Sequence, residues 1–261
     1  MIRIMSSNIW GEYFKNPACE REEKLLQVFK RYDPRILGLQ EATSGWYSSE
    51  TFKALAEDYG FVSTNTYGVD NFVPLLYLKK RFHLLSKGYE PLLDTKDKTK
   101  GISWAALEDV TDGKRLCVCN THFWWRVGPE HDIVRVKNAE QLAGLMTFLS
   151  GRFDCPVFCF GDMNSILSSS VFETFAKYGI AHCREIAMTS SCVSSHHGDP
   201  VRDGEGVYRG CKTDKDYTFS LDHILVMGKD KVSVMRYEVI EDQDALDISD
   251  HSPVYVDCDI M

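Results

Sequence analysis

Polar residues with catalytic chemistry stand where apolar runs stop or start. The run 36–40 ends on Glu41, the run 117–121 on His122, and the run 157–161 on Asp162, with Asn164 two residues later. Asp222 and His223 instead open the run 224–226, Asp250 and His251 precede the run 253–256, and Asn8 lies near the end of the first run, 2–9. In a mixed or antiparallel sheet, strand ends and strand starts can share one rim. That rim would gather Glu41, Asp162, Asp222 and Asp250 with His122, His251 and Asn8. Carboxylates do not crowd freely: two charges about 4 Å apart repel by about 4 kcal/mol at an effective dielectric of 20. A cation relieves the repulsion. The oxygen-rich set of Glu41, Asp250, Asn8 and Asn164 suits Mg²⁺ or Mn²⁺, whereas zinc would favour more His and Cys, which frees the histidines for phosphate contacts and proton transfer. Taken singly, an acid at a strand end is commonly a turn or cap, and a histidine beside an apolar run is a hydrogen-bonded structural residue. The same coincidence six times over weakens that account for the set.

Two further segments bear on recognition. Trp124, Trp125 and Arg126 follow His122 closely. Adjacent side chains on an extended segment point to opposite faces, so one indole is expected to pack inward and the other to wall the cleft, where it would stack on a base or the apolar face of a sugar. Arg126 could hold a second phosphate or a carboxylate. The stretch 190–217 has little periodicity and much Gly, Asp and Ser, and loops of that length are usually functional or mobile. His197 within it counts among the candidate substrate contacts. Cys192, His196, His197 and Cys211 match no common zinc spacing.

The elements that must position these residues follow from periodicity. Strand-length apolar runs recur at 2–9, 36–40, 73–78, 102–107, 116–121, 156–160, 221–227, 232–237 and 253–258. Helical spacing covers 25–32, 46–59 and 129–149, with Pro129 suited to a first helical turn. Asp112-Gly113 is a hairpin signal. The expected fold is α+β, two packed and mainly antiparallel sheets with helices outside, formed by 1–261 as one domain.

With 261 residues, 44% hydrophobic and 26% charged, the chain has the composition of an ordinary soluble globular protein, which excludes disordered and fibrous classes. A net charge of −8 argues against a broad basic surface for duplex nucleic acid, though not against a strand gripped by a few local cations. No apolar run approaches the roughly 20 residues that span a bilayer, and Met1 to Ser6 run straight into strand-like sequence. A cytoplasmic location without membrane insertion is expected, and no protein partner is implied. Nine cysteines, an odd number scattered in apolar runs, read as small buried hydrophobes in a reducing compartment.

In their order along the chain, Ser7-Asn8-Ile9-Trp10, Leu39-Gln40-Glu41, Asn120-Thr121-His122-Phe123, Phe160-Gly161-Asp162-Met163-Asn164, Leu221-Asp222-His223-Ile224 and Ser249-Asp250-His251-Ser252-Pro253 resemble the motifs of the endonuclease/exonuclease/phosphatase superfamily. These are the divalent-metal phosphoesterases related to DNase I. The resemblance implies a four-layered α/β/β/α sandwich. It also implies that Glu41 and Asn8 hold the metal with Asp250 nearby, that Asp162 orients or deprotonates the attacking water, and that Asn164 and His122 bind the scissile phosphate. His251 would act on the phosphate with Asp222 fixing its tautomer. His223 stands where the family has Tyr, as a structural ring, and Phe123 stands for Leu.

The expected activity is Mg²⁺- or Mn²⁺-dependent in-line attack of water on phosphorus. A phosphodiesterase or nuclease acting on single-stranded or short nucleic acid comes first, and a phosphomonoesterase acting on a sugar or inositol phosphate second. A catalytically silent binding module is a third class, disfavoured because all the matched acids and histidines are present.

Overall fold

The apolar runs form strands of two large sheets packed face to face. The computed structural model describes residues 1–62, 71–95, 97–191, 194–197, 200–211 and 219–261. Its strands are β1 (Ile2–Asn8), β2 (Ile36–Gln40), β3 (Tyr59–Val62), β4 (Leu75–Leu78), β5 (Phe82–Pro91), β6 (Gly101–Asp109), β7 (Arg115–His122), β8 (Val157–Asp162), β9 (Ile180–His182), β10 (Thr189–Ser190), β11 (Pro200–Arg202), β12 (Tyr208–Cys211), β13 (Asp222–Met227), β14 (Val232–Val239) and β15 (Val254–Ile260). One sheet has the order β10-β14-β15-β1-β2-β4-β3, the other β5-β6-β7-β8-β13-β9, and β11 and β12 pair separately.

Helices close both outer faces. Helices α1 (Glu22–Tyr32), α2 (Ser44–Ser48) and α3 (Glu50–Asp58) cover the first sheet. Helices α4 (Pro129–Phe153) and α5 (Ser170–Lys177) cover the second. Ile4, Ile36, Val118, Phe158, Phe160, Ile224 and Val256, all fully buried, fill the space between the sheets. Each such side chain contributes about 1.5–3 kcal/mol by leaving water. This is the expected four-layered α+β sandwich. Among the described residues, no helix is long and apolar enough to cross a membrane.

Several boundaries differ from the periodicity. The helical pattern over 46–59 is two helices, interrupted at Ser49, whose hydroxyl caps α3 by accepting Phe52 N–H, and Tyr59 already belongs to β3. Strand β5 escaped the apolar pattern because it is a sheet edge with every residue after Phe82 at least partly exposed. Cys19 lies at the surface, whereas Cys117, Cys119, Cys155, Cys159, Cys183 and Cys258 are buried, and all seven are free. Within 190–217, the hairpin of β11 and β12 gives regular structure to a stretch read as loop.

The topology explains the rim. Each sheet has a parallel pair at its centre, β1 with β2 and β7 with β8, and parallel neighbours need a crossover. Helices α1 and α4 lie within those crossovers. All four strands therefore end on one side of the molecule. Their antiparallel partners start there: Asp222 of β13 faces Asp162 of β8, and Val254 of β15 faces Ser6 of β1. Alternation then sets the chemistry. Positions that point between the sheets are apolar deep inside and polar at this rim: Asn8 follows Ile2 and Ile4, His122 follows Leu116 and Val118, Asp162 follows Phe158 and Phe160, and Asp222 precedes Ile224 and Val226.

Below the rim, buried polar groups tie the sheets together. Gln40 Nε2 donates to Asn120 Oδ1 at 2.6 Å, and Asn120 Nδ2 donates to Leu39 O (2.8 Å) and Pro74 O (2.9 Å). Gly38 permits this closeness, because a Cβ there would lie 2.3 Å from the Phe160 ring and 2.6 Å from Asn120 Oδ1.

Candidate active site

Asn8 is the first link in the cluster. Its Nδ2 donates to Asp162 Oδ2 at 3.0 Å and to Glu41 Oε1 at 3.3 Å, while its Oδ1 accepts Trp10 N–H at 3.0 Å. Asn8 thus turns its donor toward the two carboxylates. Glu41 sits at φ 62°, in the left-handed region, and its other oxygen accepts Gly11 N–H at 3.0 Å. Arg21, buried and unremarked in the sequence, fixes the surrounding backbone by donating to Ile9 O, Trp10 O, Asn16 O and Ile248 O at 2.7–2.9 Å. It holds the chain just after Asn8 and just before Ser249-Asp250.

Asp162 accepts Asn164 N–H at 2.9 Å through Oδ1. Asn164 donates Nδ2 to Phe123 O at 3.2 Å, so one residue, through its backbone and its side chain, connects the acid to the residue after His122. Burial, reinforced by Asp222 and opposed by His251, pushes Asp162 up to about 7. Burial and Glu41, opposed by His251, push Asp250 up to about 6.

His251 Nδ1 lies 2.8 Å from Asp222 Oδ2, so the carboxylate accepts that N–H and turns Nε2 toward Asp162, 3.8 Å away. Burial alone would lower the His251 pKa, but Asp222, Asp162 and Asp250 outweigh it and raise the value well above the ordinary one. His196 packs edge-on against the His251 ring with centroids 4.7 Å apart, and its Nε2 is 3.9 Å from Asp250 Oδ2. His197 is buried with Nε2 2.7 Å from Ser252 Oγ. The imidazole beside His251 is therefore that of His196, one residue before the one singled out from sequence. Ser195 locks this segment in place, its Oγ accepting Leu221 N–H and Asp222 N–H at 3.0 Å each. Cys192, one of the four residues weighed for zinc, lies outside the described residues.

His122 faces Asp162 Oδ2 at 3.4 Å, and the Lys100 ammonium lies 3.0 Å from its Nδ1 and 2.9 Å from its Nε2. Burial, then Lys100 and His251, depress the His122 pKa well below its ordinary value. No sequence signal pointed to Lys100, because it precedes β6 and follows a polar loop.

Beyond His122 the chain enters the predicted wall. Phe123, not an indole, takes the core position, against Phe175. The two indoles divide: Trp124 is partly buried against α4, donating Nε1–H to His131 Nδ1 at 2.9 Å, and Trp125 is 54% exposed. The Arg126 guanidinium lies 5.6 Å from each indole centroid. Arg135 and Asn138 of α4 hold the segment through Trp124 O, Arg126 O and Trp124 N–H.

The donor set fits a hard divalent cation. Ligand atoms of Asp162, Asp222 and His251 lie within 4.8 Å of one another, as do those of His196, Asp250 and His251. Glu41 belongs to neither group but reaches Asp162 through Asn8. Among the described residues, buried Asp222 Oδ1 has no hydrogen-bond partner, and burial, only partly offset by His251, raises Asp162 and Asp250, as expected of acids that a cation would stabilise in their charged form. Oxygen donors predominate, as Mg²⁺ and Mn²⁺ require.

No curated protein matches the chain at a significant level. Among solved structures, an endonuclease/exonuclease/phosphatase from Bacteroides vulgatus is 21% identical with a TM-score of 0.81, the match covering 100% of this chain and 99% of that one. A mannosyl-6-phosphatase from Bacteroides thetaiotaomicron is 19% identical with a TM-score of 0.79, over 100% of both chains. D. rerio TDP2 complexed with single strand DNA product is 18% identical with a TM-score of 0.72, over 99% of this chain and 98% of that one. These likenesses establish a shared fold. The sequence model of one family matches residues 5–251, a span that runs from just before Asn8 to His251 and contains both halves of the rim. The chain belongs to the Endonuclease/Exonuclease/phosphatase family.

Proposed function

We propose that the protein hydrolyses phosphoesters with Mg²⁺ or Mn²⁺, by in-line attack of water on phosphorus. The observation that carries this is the convergence of Asn8, His122, Asp162 and Asp222, from strand positions that point between the sheets, with Glu41, Asp250 and His251 on one rim. A cation held by Glu41 and Asp250 beside Asn8 would neutralise charge developing on the phosphoryl oxygens. Asp162, oriented by Asn8 Nδ2 and Asn164 N–H, is positioned to take a proton from water as its oxygen bonds to phosphorus. The ester P–O bond breaks, its electron pair leaves with the ester oxygen, and that oxygen takes a proton from His251, kept cationic by Asp222. His122 and Asn164 would contact the non-bridging oxygens.

Two substrate classes suit this chemistry. A phosphodiester, as in single-stranded or short nucleic acid, is favoured by the exposed Trp125 and Arg126 beside the site, which suit base stacking and a second phosphate. A small phosphomonoester is favoured by the deep burial of His122, Asp162 and Asp222, which suits a terminal group entering end-on. A screen of phosphomonoesters, phosphodiesters and oligonucleotides with Mg²⁺, Mn²⁺ and EDTA tests the proposal. Metal-dependent turnover of either ester class supports it, and turnover unaffected by EDTA contradicts it.

A further inference from the structure

Lys100 is the unexplained charge in the site. It precedes β6, with its backbone fixed by Lys100 N–H donating to Asp97 O at 3.2 Å and Leu92 N–H donating to Lys100 O at 3.0 Å. The residue is only 6% exposed. Its ammonium meets the two ring nitrogens of His122 at 3.0 and 2.9 Å, and among the described residues no carboxylate comes within 4.0 Å to pair with it. A neutral imidazole cannot neutralise an ammonium, and burying a charge without a counter-ion is unfavourable. Burial lowers the Lys100 pKa on balance, against the upward pull of Glu41, Asp162 and Asp97, and an arriving anion would add to that pull and hold the ammonium in place.

We propose that Lys100 binds the scissile phosphate through its non-bridging oxygens, on the His122 side of the site, and that its charge selects a terminal phosphomonoester of a small molecule over a phosphodiester. This rests on the hydrolase reading above. A phosphomonoester carries close to two negative charges at neutral pH and a diester one, so a fixed cation in a water-poor pocket stabilises the monoester more. The neighbouring hairpin adds little free positive charge for tracking a nucleic-acid backbone. Arg202 is engaged by Phe14 O and Gly206 O, and Arg209 by Glu20 and Asp203.

The test compares wild type, Lys100→Met and Lys100→Arg on p-nitrophenyl phosphate and bis(p-nitrophenyl) phosphate with Mg²⁺, with melting curves and calorimetric binding of inorganic phosphate. Lys100→Met removes a buried unpaired charge, so its melting temperature without ligand should stay level or rise. Its phosphate affinity should fall at least about tenfold, the scale of one charge-assisted hydrogen bond. kcat/KM on the monoester should fall more than on the diester, and Lys100→Arg should recover part of the phosphate affinity. Lower stability in Lys100→Met with unchanged phosphate binding makes Lys100 structural and overturns the proposal. Equal losses on both esters overturn the substrate class while leaving Lys100 a phosphate ligand. If Lys100→Met does not fold, the Lys100→Arg phosphate affinity and ester ratio decide: both unchanged from wild type overturns the proposal. No metal-dependent turnover of either ester by wild type defeats the hydrolase reading, and phosphate binding then still reports on Lys100.

Discussion

Asn8 and Asp162 meet across the two sheets: the amide at the end of β1 donates Nδ2–H to the carboxylate at the end of β8, 3.0 Å away and 154 residues later in sequence. The contact sets the separation of the two halves of the rim and aims one carboxylate oxygen while Asn164 N–H aims the other. Asp162→Asn is nearly isosteric and is expected to fold, with a melting temperature close to wild type. Its turnover should fall by at least about a hundredfold, the scale of losing a positioned acid or base. Unchanged turnover in a folded variant removes Asp162 from the chemistry.

His251 and His223 separate function from packing. His251→Ala deletes the ring oriented by Asp222 and should lower kcat by at least about a hundredfold. His223 points to the other face of β13. His182 Nδ1 accepts Arg184 N–H (3.1 Å), so His182 Nε2–H donates to His223 Nδ1 (3.0 Å) and His223 Nε2–H donates to Ser165 O (2.8 Å). His223→Phe breaks this buried relay and should cost about 1–3 kcal/mol of stability for each partner left unsatisfied. The folded variant should keep most of its kcat. A His223→Phe protein as stable as wild type but inactive would reverse the assignment.

How far the sequence foretold this site follows from which residues stood next to strands. Glu41, His122, Asp162, Asp222 and Asp250 were legible because strand alternation and the ends of apolar runs are local signals. Lys100 and Arg21 were not, and His196 was weighed only as a zinc ligand: each arrives from a loop or helix start, and each matters through partners more than ten residues away in sequence, His122, Ile248 and His251. The helix break at Ser49 was available as an N-cap residue before Glu50, but a continuous apolar spacing over 46–59 hid it. The edge strand β5 was hidden because every residue after Phe82 is at least partly exposed and His83, Ser86, Lys87 and Glu90 interrupt any apolar run.

The acids predict a pH dependence of metal binding. Asp162 at about 7 and Asp250 at about 6 lie above the ordinary carboxylate range, chiefly through burial. In the metal-free protein both raised acids contribute stability that is fully present below about pH 4 and is lost as pH rises through 6–7. A cation competes with their protons, so the rise in melting temperature caused by Mg²⁺ should be larger near about pH 8 than near about pH 5.5. Comparing curves with and without Mg²⁺ at each pH cancels the opposite contribution of His182 and His223, whose burial-depressed values make stability fall as pH drops below about 6.5. Equal Mg²⁺ shifts at both pH values, or none, contradict the site.

The two indoles should respond differently to truncation. Trp125→Ala removes a largely exposed ring and should change stability by less than about 0.5 kcal/mol. If Trp125 contacts substrate, KM should rise while the melting temperature holds. Trp124→Ala loses the His131 hydrogen bond and should cost about 1 kcal/mol or more. Steady-state kinetics beside melting curves checks both. A Trp125→Ala enzyme with wild-type KM on every accepted substrate places recognition elsewhere.

If this rim is a metal-dependent phosphoesterase centre, turnover needs both a divalent cation and Asp162. The most direct measurement is release of p-nitrophenolate from p-nitrophenyl phosphate and bis(p-nitrophenyl) phosphate by purified wild type and Asp162→Asn, with Mg²⁺ or Mn²⁺ and again with EDTA. Release by wild type that is abolished by EDTA and nearly lost in Asp162→Asn is the predicted result. Release that persists in EDTA, release undiminished in Asp162→Asn, or none at all from folded, metal-supplied wild type would contradict it.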